Sequence, residues 1–107
     1  DLSSLTNGSY MFQNCSNLTS FSSDLSSLTN AYEMFRDCNL DGPSVEKIFT
    51  TIKETTSYNR IHIGIKSSAI DKVREITGFT GVIGRDSYYN IGRYRGWDLC
   101  IRATSND

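Results

Sequence analysis

One histidine, three cysteines and a knot of arginines with tyrosines are the side chains of this 107-residue chain that could do chemistry. Acyl or group transfer through a cysteine needs a thiol beside an imidazole that can take its proton. His62 is the sole histidine, and Cys15, Cys38 and Cys100 stand at no spacing that marks a nucleophile motif. His62 also falls on the polar side of an alternating stretch, where a surface histidine is a simpler account than half of a His62 and Cys100 pair. The chain is therefore expected to be no enzyme. The cysteines sit in no C-x-x-C or His-rich setting, so no zinc framework is legible and no metal is expected. Residues 64–68, GIKSS, look like a phosphate loop but lack its first glycine and its Gly-Lys-Ser order. They read as a strand running into a helix cap, and no cofactor is expected.

Arg93-Tyr94-Arg95-Gly96-Trp97, preceded by Tyr88 and Tyr89, is the one place where cationic and aromatic side chains gather. Such groups stack on sugars or bases and pair with anions, which makes Tyr88, Tyr89, Arg93, Tyr94, Arg95 and Trp97 the candidate binding surface. The competing account packs Trp97 and Tyr94 into the interior and leaves the arginines solvated, and the weight of aromatics in small cores favours it. Three Asn-x-Ser/Thr triplets begin at Asn7, Asn14 and Asn17. They would accept glycans in a eukaryotic secretory pathway, but a Ser- and Asn-rich composition explains them as well.

Composition excludes several classes. Hydrophobic residues make up 37%, with five Phe, six Tyr and one Trp, which is too apolar for a disordered segment. The net charge of -1 divides unevenly: residues 1–43 carry one Arg against five Asp and Glu, and residues 44–107 carry ten Lys and Arg against seven. A local surplus of three cations is too small to predict a nucleic-acid partner. No apolar run nears the roughly 20 residues of a membrane-crossing helix. The chain begins without Met, within a repeated pattern, and so reads as an excerpt from a longer polypeptide.

That pattern is the strongest signal in the sequence. Residues 1–23 read DLSSLTNGSYMFQNCSNLTSFSS and residues 24–40 read DLSSLTNAYEMFRDCNL, so Asp1 matches Asp24 at a displacement of 24 − 1 = 23. Leu2, Leu5, Asn7, Met11, Phe12 and Cys15 recur as Leu25, Leu28, Asn30, Met34, Phe35 and Cys38. A period of 23 lies within the range of about 20 to 29 residues used by leucine-rich repeats. The retained apolar positions would point inward, so neighbouring units would stack like on like, with Cys15 and Cys38 more simply packed than bridged. Residues 18–21 fit a short strand and residues 31–36 a short helical turn.

The stretch MFQNCSNLTSFSSDLSSLTNAYEMFRDC resembles the repeats of BspA-like leucine-rich-repeat surface proteins, with their recurring M-F-x-x-C-x-x-L-T-S pattern. The resemblance covers about residues 1–40 and lapses after Cys38, where a spacer residue is missing and Leu40-Asp41-Gly42-Pro43 replaces the next strand. It implies a secreted or surface-attached protein, typically bacterial, with similar repeats in some phage and protist surface proteins, used in adhesion or recognition, and it carries no catalytic residues over. The partner it implies is a host or cell-surface protein or a glycan. The alternative is a structural spacer or cap in a cell-surface or phage-tail assembly.

The elements beyond the repeat follow from periodicity. Ser44 is placed to cap a helix over Val45, Ile48, Phe49 and Ile52, which recur at i, i+3, i+4 and i+7. Residues 60–66 alternate, with Ile61, Ile63 and Ile65 on one face and the other face wet. Ile70, Val73 and Ile76 share a helix face that ends near Gly78. After a Gly-, Tyr- and Asn-rich loop, residues 97–103 form a last strand. The expected architecture is α/β: the end of a leucine-rich-repeat solenoid over residues 1–43, closed by an α/β cap over residues 44–107.

Overall fold

Alternation builds the centre of a four-stranded mixed sheet. The computed structural model describes residues 2–56 and 59–105. Its elements are β1 (Phe35–Leu40), α1 (Gly42–Thr51), β2 (Asn59–Lys66), a 3₁₀ turn (Ser67–Ala69), α2 (Ile70–Thr77), β3 (Tyr89–Tyr94) and β4 (Trp97–Ser105). The sheet order is β1-β2-β4-β3, with β1, β2 and β4 parallel and β3 antiparallel to β4. Ile61, Ile63 and Ile65 pair in register with Leu99, Ile101 and Ala103, so the apolar halves of both strands share one face. Val45, Ile48 and Phe49 of α1 and Val73 of α2 join them in one fully buried cluster.

The helices end as local chemistry dictates, with one change from expectation. Asp41, not Ser44, caps α1: its carboxylate accepts the Ser44 N–H at 3.0 Å, and Pro43 fits the first turn because it needs no donor there. Ser44 is buried, donates its hydroxyl to Asp41 at 2.5 Å and accepts the Phe21 N–H at 2.7 Å. Gly78 closes α2 in the left-handed region, at φ 76°.

The expected solenoid with a separate cap is corrected by β1. Its six residues come from the second repeat copy, yet they form an edge of the sheet built from β2 and β4. Phe21, Leu25, Leu28, Met34 and Phe35 of the repeat region belong to the same apolar cluster as Ile48, Ile63 and Ile101. A rung whose apolar residues are already covered by helices and a sheet exposes no open end for a lid to close. The chain is a small α/β domain, and its radius of gyration of 12.2 Å matches the ~13 Å expected of one compact unit of this length. The helical turn expected over residues 31–36 is likewise replaced at its end by β1.

The two copies lie side by side within this domain. The N–H groups of Gly8, Tyr10, Phe12 and Asn14 donate to the carbonyls of Asn30, Tyr32, Met34 and Arg36 at 2.7–3.0 Å. Phe12 stacks on Phe35 with centroids 5.6 Å apart. Left-handed backbone recurs at matched positions, Tyr10 with Glu33 and Asn14 with Asp37, each pair 23 residues apart.

Candidate functional site

The helices pack with the isoleucine side of the sheet; the alternate positions of β2 and β4 include His62, Asp98 and Cys100, and His62 lies between Tyr32 of the second repeat copy and Tyr88 of the loop before β3. These alternate positions were expected to be wet, but His62 is 7% exposed and Asp98 and Cys100 are each 6% exposed. Tyrosines supply the cover. Tyr32 from the second copy meets the His62 ring edge to face at 5.5 Å, and Tyr88 meets it at 5.3 Å. Tyr10, from the first copy, meets Tyr32 at 5.6 Å. Tyr10, Tyr32, His62 and Tyr88 thus form a continuous row of rings, and its first two members are 52% and 40% exposed.

Tyr88 is fixed by the repeat. The Asp37 N–H donates to its hydroxyl oxygen, and its O–H donates to Asp37 Oδ1 at 3.1 Å. In the first copy the matched N–H, that of Asn14, donates to the Arg36 carbonyl. Tyr88 therefore supplies to the second copy the acceptor that the second copy supplies to the first. Arg36 and Arg102 lie over the Tyr88 ring at 4.9 and 6.0 Å from its centroid, and Arg102 also reaches Asp37 at 3.4 Å. Burial pushes the Tyr88 hydroxyl well above its ordinary range.

Asp98 anchors the β3 side of the same face. Asn90 donates to it at 3.3 Å, and Arg60 and Arg93 approach it at 3.8 and 3.9 Å. Beside Tyr32, a shallow depression of about 300 Å³ is lined by Tyr32, Asn30, Asn59 and Arg60. Amides, a guanidinium and an exposed ring wall are the groups that bind hydroxylated ligands by hydrogen bonds and stacking.

Of the cysteines, Cys100 is the one in register with His62, across β2 and β4 among the described residues. Their electrostatics oppose proton transfer. Burial raises the thiol, and burial also lowers the imidazole, so both are held neutral. The buried His62 Nδ1 has no hydrogen-bond partner among the described residues, so no third group orients the ring for base catalysis. Among the described residues no cluster of three His, Cys, Asp or Glu side chains could hold a metal ion.

The six residues picked out by composition do not converge. Trp97 is fully buried and donates its indole N–H to the Lys53 carbonyl at 2.7 Å. Tyr94 packs on Phe49 at 5.5 Å. Arg95 donates to the Ile52 carbonyl at 2.9 Å, beside the C-terminal end of α1, where the helix dipole favours a cation. Tyr89 pairs with Ile101 on the helix side. Only Tyr88 and Arg93 lie beside His62 and Asp98. Sequence reasoning missed Tyr10, Tyr32 and Arg60, although Tyr10 and Tyr32, one register step apart in the repeat, stand out among its Ser, Thr and Asn positions.

No family model, curated protein or solved structure matches the chain. Among the described residues no helix is long and apolar enough to cross a membrane.

Proposed function

We propose that the chain is a non-catalytic recognition module of a cell-surface protein, and that its contact surface is the row Tyr10, Tyr32, His62 and Tyr88 with the adjoining depression. The row itself carries the reading. Four rings in edge-to-face contact form a rigid strip, with half-exposed tyrosines at one end and arginines and carboxylates along its side. Tyr offers a large amphipathic area at low entropic cost, and neighbouring Asn30, Asn59 and Arg60 supply hydrogen bonds, which suits a glycan better than a flat apolar protein face. The resemblance to BspA-like repeats supports an extracellular setting. The neutral, unoriented Cys100 and His62 pair supports the absence of catalysis. A purely structural spacer or cap would leave the exposed rings without a task.

Tyr32→Ala removes a partly exposed ring that packs on Tyr10 and His62 but lies outside the apolar cluster. On a glycan and extracellular-matrix array, wild type should bind a glycan. Tyr32→Ala should weaken that binding at least about tenfold, or about 1.4 kcal/mol, while the chain still unfolds in one cooperative transition, destabilised by no more than the ~1–3 kcal/mol of two lost ring contacts. Replacing Val82, which is 71% exposed and outside the row, should change nothing. Binding to neither class, or undiminished binding by Tyr32→Ala, contradicts the proposal.

A further inference from the structure

Two of the three cysteines are held next to each other by the pairing of the repeat copies. On one side of them Asn14 N–H donates to the Arg36 carbonyl at 2.8 Å; on the other, Asn39 N–H donates to the Leu18 carbonyl at 3.1 Å. Cys15 and Cys38 lie between these bonds on adjacent backbone runs. Both also bind one atom: the Phe12 carbonyl accepts the Cys15 N–H at 3.1 Å and the Cys38 thiol at 3.2 Å. Neighbouring hydrogen-bonded chains run about 5 Å apart, within the Cα separation that a disulfide spans. Both thiols are free, Cys15 exposed and Cys38 buried. Cys100 lies apart from them on β4.

We propose that Cys15 and Cys38 are a redox pair, with Cys15 as the entry thiol and Cys38 as the resolving thiol, which a low-molecular-weight disulfide converts to an intramolecular bridge between the two repeat copies. In the first step the Cys15 thiolate attacks the small disulfide, its S–S bond breaks, and one half leaves as thiolate. In the second, Cys38 loses its proton to water, attacks the Cys15 sulfur of the mixed disulfide and expels the other half as thiolate. The two cysteines lose two electrons and two protons, and the small disulfide becomes two thiols. Exposure makes Cys15 the accessible partner. Burial pushes the Cys38 thiol up to about 12, so the second step is the slow one and accelerates with rising pH.

The test equilibrates the native full chain in oxidised and reduced glutathione near pH 8.5, quenches with acid, alkylates under denaturing conditions and maps tryptic peptides. A mixed disulfide on Cys15 should appear first and decay. The peptide covering residues 1–36 should then be joined to the peptide covering residues 37–47, and the chain should lose the mass of two hydrogens. The bridge closes a loop of 38 − 15 = 23 residues, so the oxidised chain should melt about 5 °C or more above the reduced chain. Cys15→Ser, at an exposed position, should fold normally and leave Cys38 reduced. A mixed disulfide that persists on Cys15 at equilibrium, a bridge involving Cys100, a dimer joined through Cys15, or glutathionylation of Cys38 in the Cys15→Ser chain overturns the proposal.

Discussion

Tyr88 has two roles that substitution can separate. Its ring closes the aromatic row against His62, and its hydroxyl satisfies the Asp37 backbone. Tyr88→Phe keeps the ring and strands a half-buried N–H, so it should cost about 1–2 kcal/mol in urea unfolding while leaving ligand binding within about twofold. A stability change below about 0.5 kcal/mol would mean that water replaces the hydroxyl. His62 gives a pH signature. Burial lowers its imidazole in the folded state, against the opposing pull of Glu33 and Asp37 and with the help of Arg36 and Arg60. The unfolded chain, with an ordinary value near ~6.5, therefore binds that proton more readily. The contribution is complete above about pH 6.5 and is lost as pH falls toward the folded value. Wild type should lose stability between about pH 7.5 and pH 5, and His62→Gln should flatten that slope; equal slopes would place the titration elsewhere. Periodicity put His62 on the polar side of its strand, opposite the isoleucines. Its burial was not legible, because the covering rings come from positions 32 and 88, distant in sequence and brought over it only by the fold.

Among the elements, β2, β4, α1 and α2 were legible because each carries its own period: alternating Ile, alternating Trp, Leu and Ile, and two apolar helix stripes. The edge strands were not. β3 reads YNIGRY, with a glycine and little apolar alternation, and its clearest signal is the turn that follows. Arg95 and Gly96, at φ 51° and 84°, are the two left-handed residues of a tight hairpin joining Tyr94 to Trp97. β1 reads FRDCNL and was hidden by the repeat, whose period suggested a rung. Its packing against β2 depends on Gly64: a Cβ there would lie 2.3 Å from the Cys38 carbonyl oxygen and 2.9 Å from the Cys38 nitrogen. Because backbone cannot swing aside as a side chain can, Gly64→Ala should cost at least ~3 kcal/mol and detach β1 first. Hydrogen exchange should show Cys38 and Asn39 losing protection while Leu99 and Ile101 keep theirs. Uniform protection with unchanged stability would mean that β1 shifts without cost.

At the scale of the whole molecule, the 23-residue repeat is real in sequence and in backbone pairing, but it does not set the architecture. Self-similarity reports which residues are alike, whereas the fold depends on what covers them. Here the second copy is covered by α1 and continued into the sheet, so Leu25, Leu28, Met34 and Phe35 share one interior with residues more than 60 positions away. That covering comes from contacts distant in sequence, which no local period announces. The proposed contact surface has the same origin, since its rings come from both copies, β2 and the loop before β3. The most direct test of this shared interior pairs a change in the repeat with a probe outside it. Phe35 is fully buried against Phe12 and Phe21, and Trp97 is fully buried at the start of β4. Urea unfolding of Phe35→Ala should therefore show one transition, followed alike by Trp97 fluorescence and far-ultraviolet circular dichroism, and destabilised by about 3–5 kcal/mol. A Trp97 transition that stays at its wild-type midpoint while the dichroism separates into two steps would contradict a single domain.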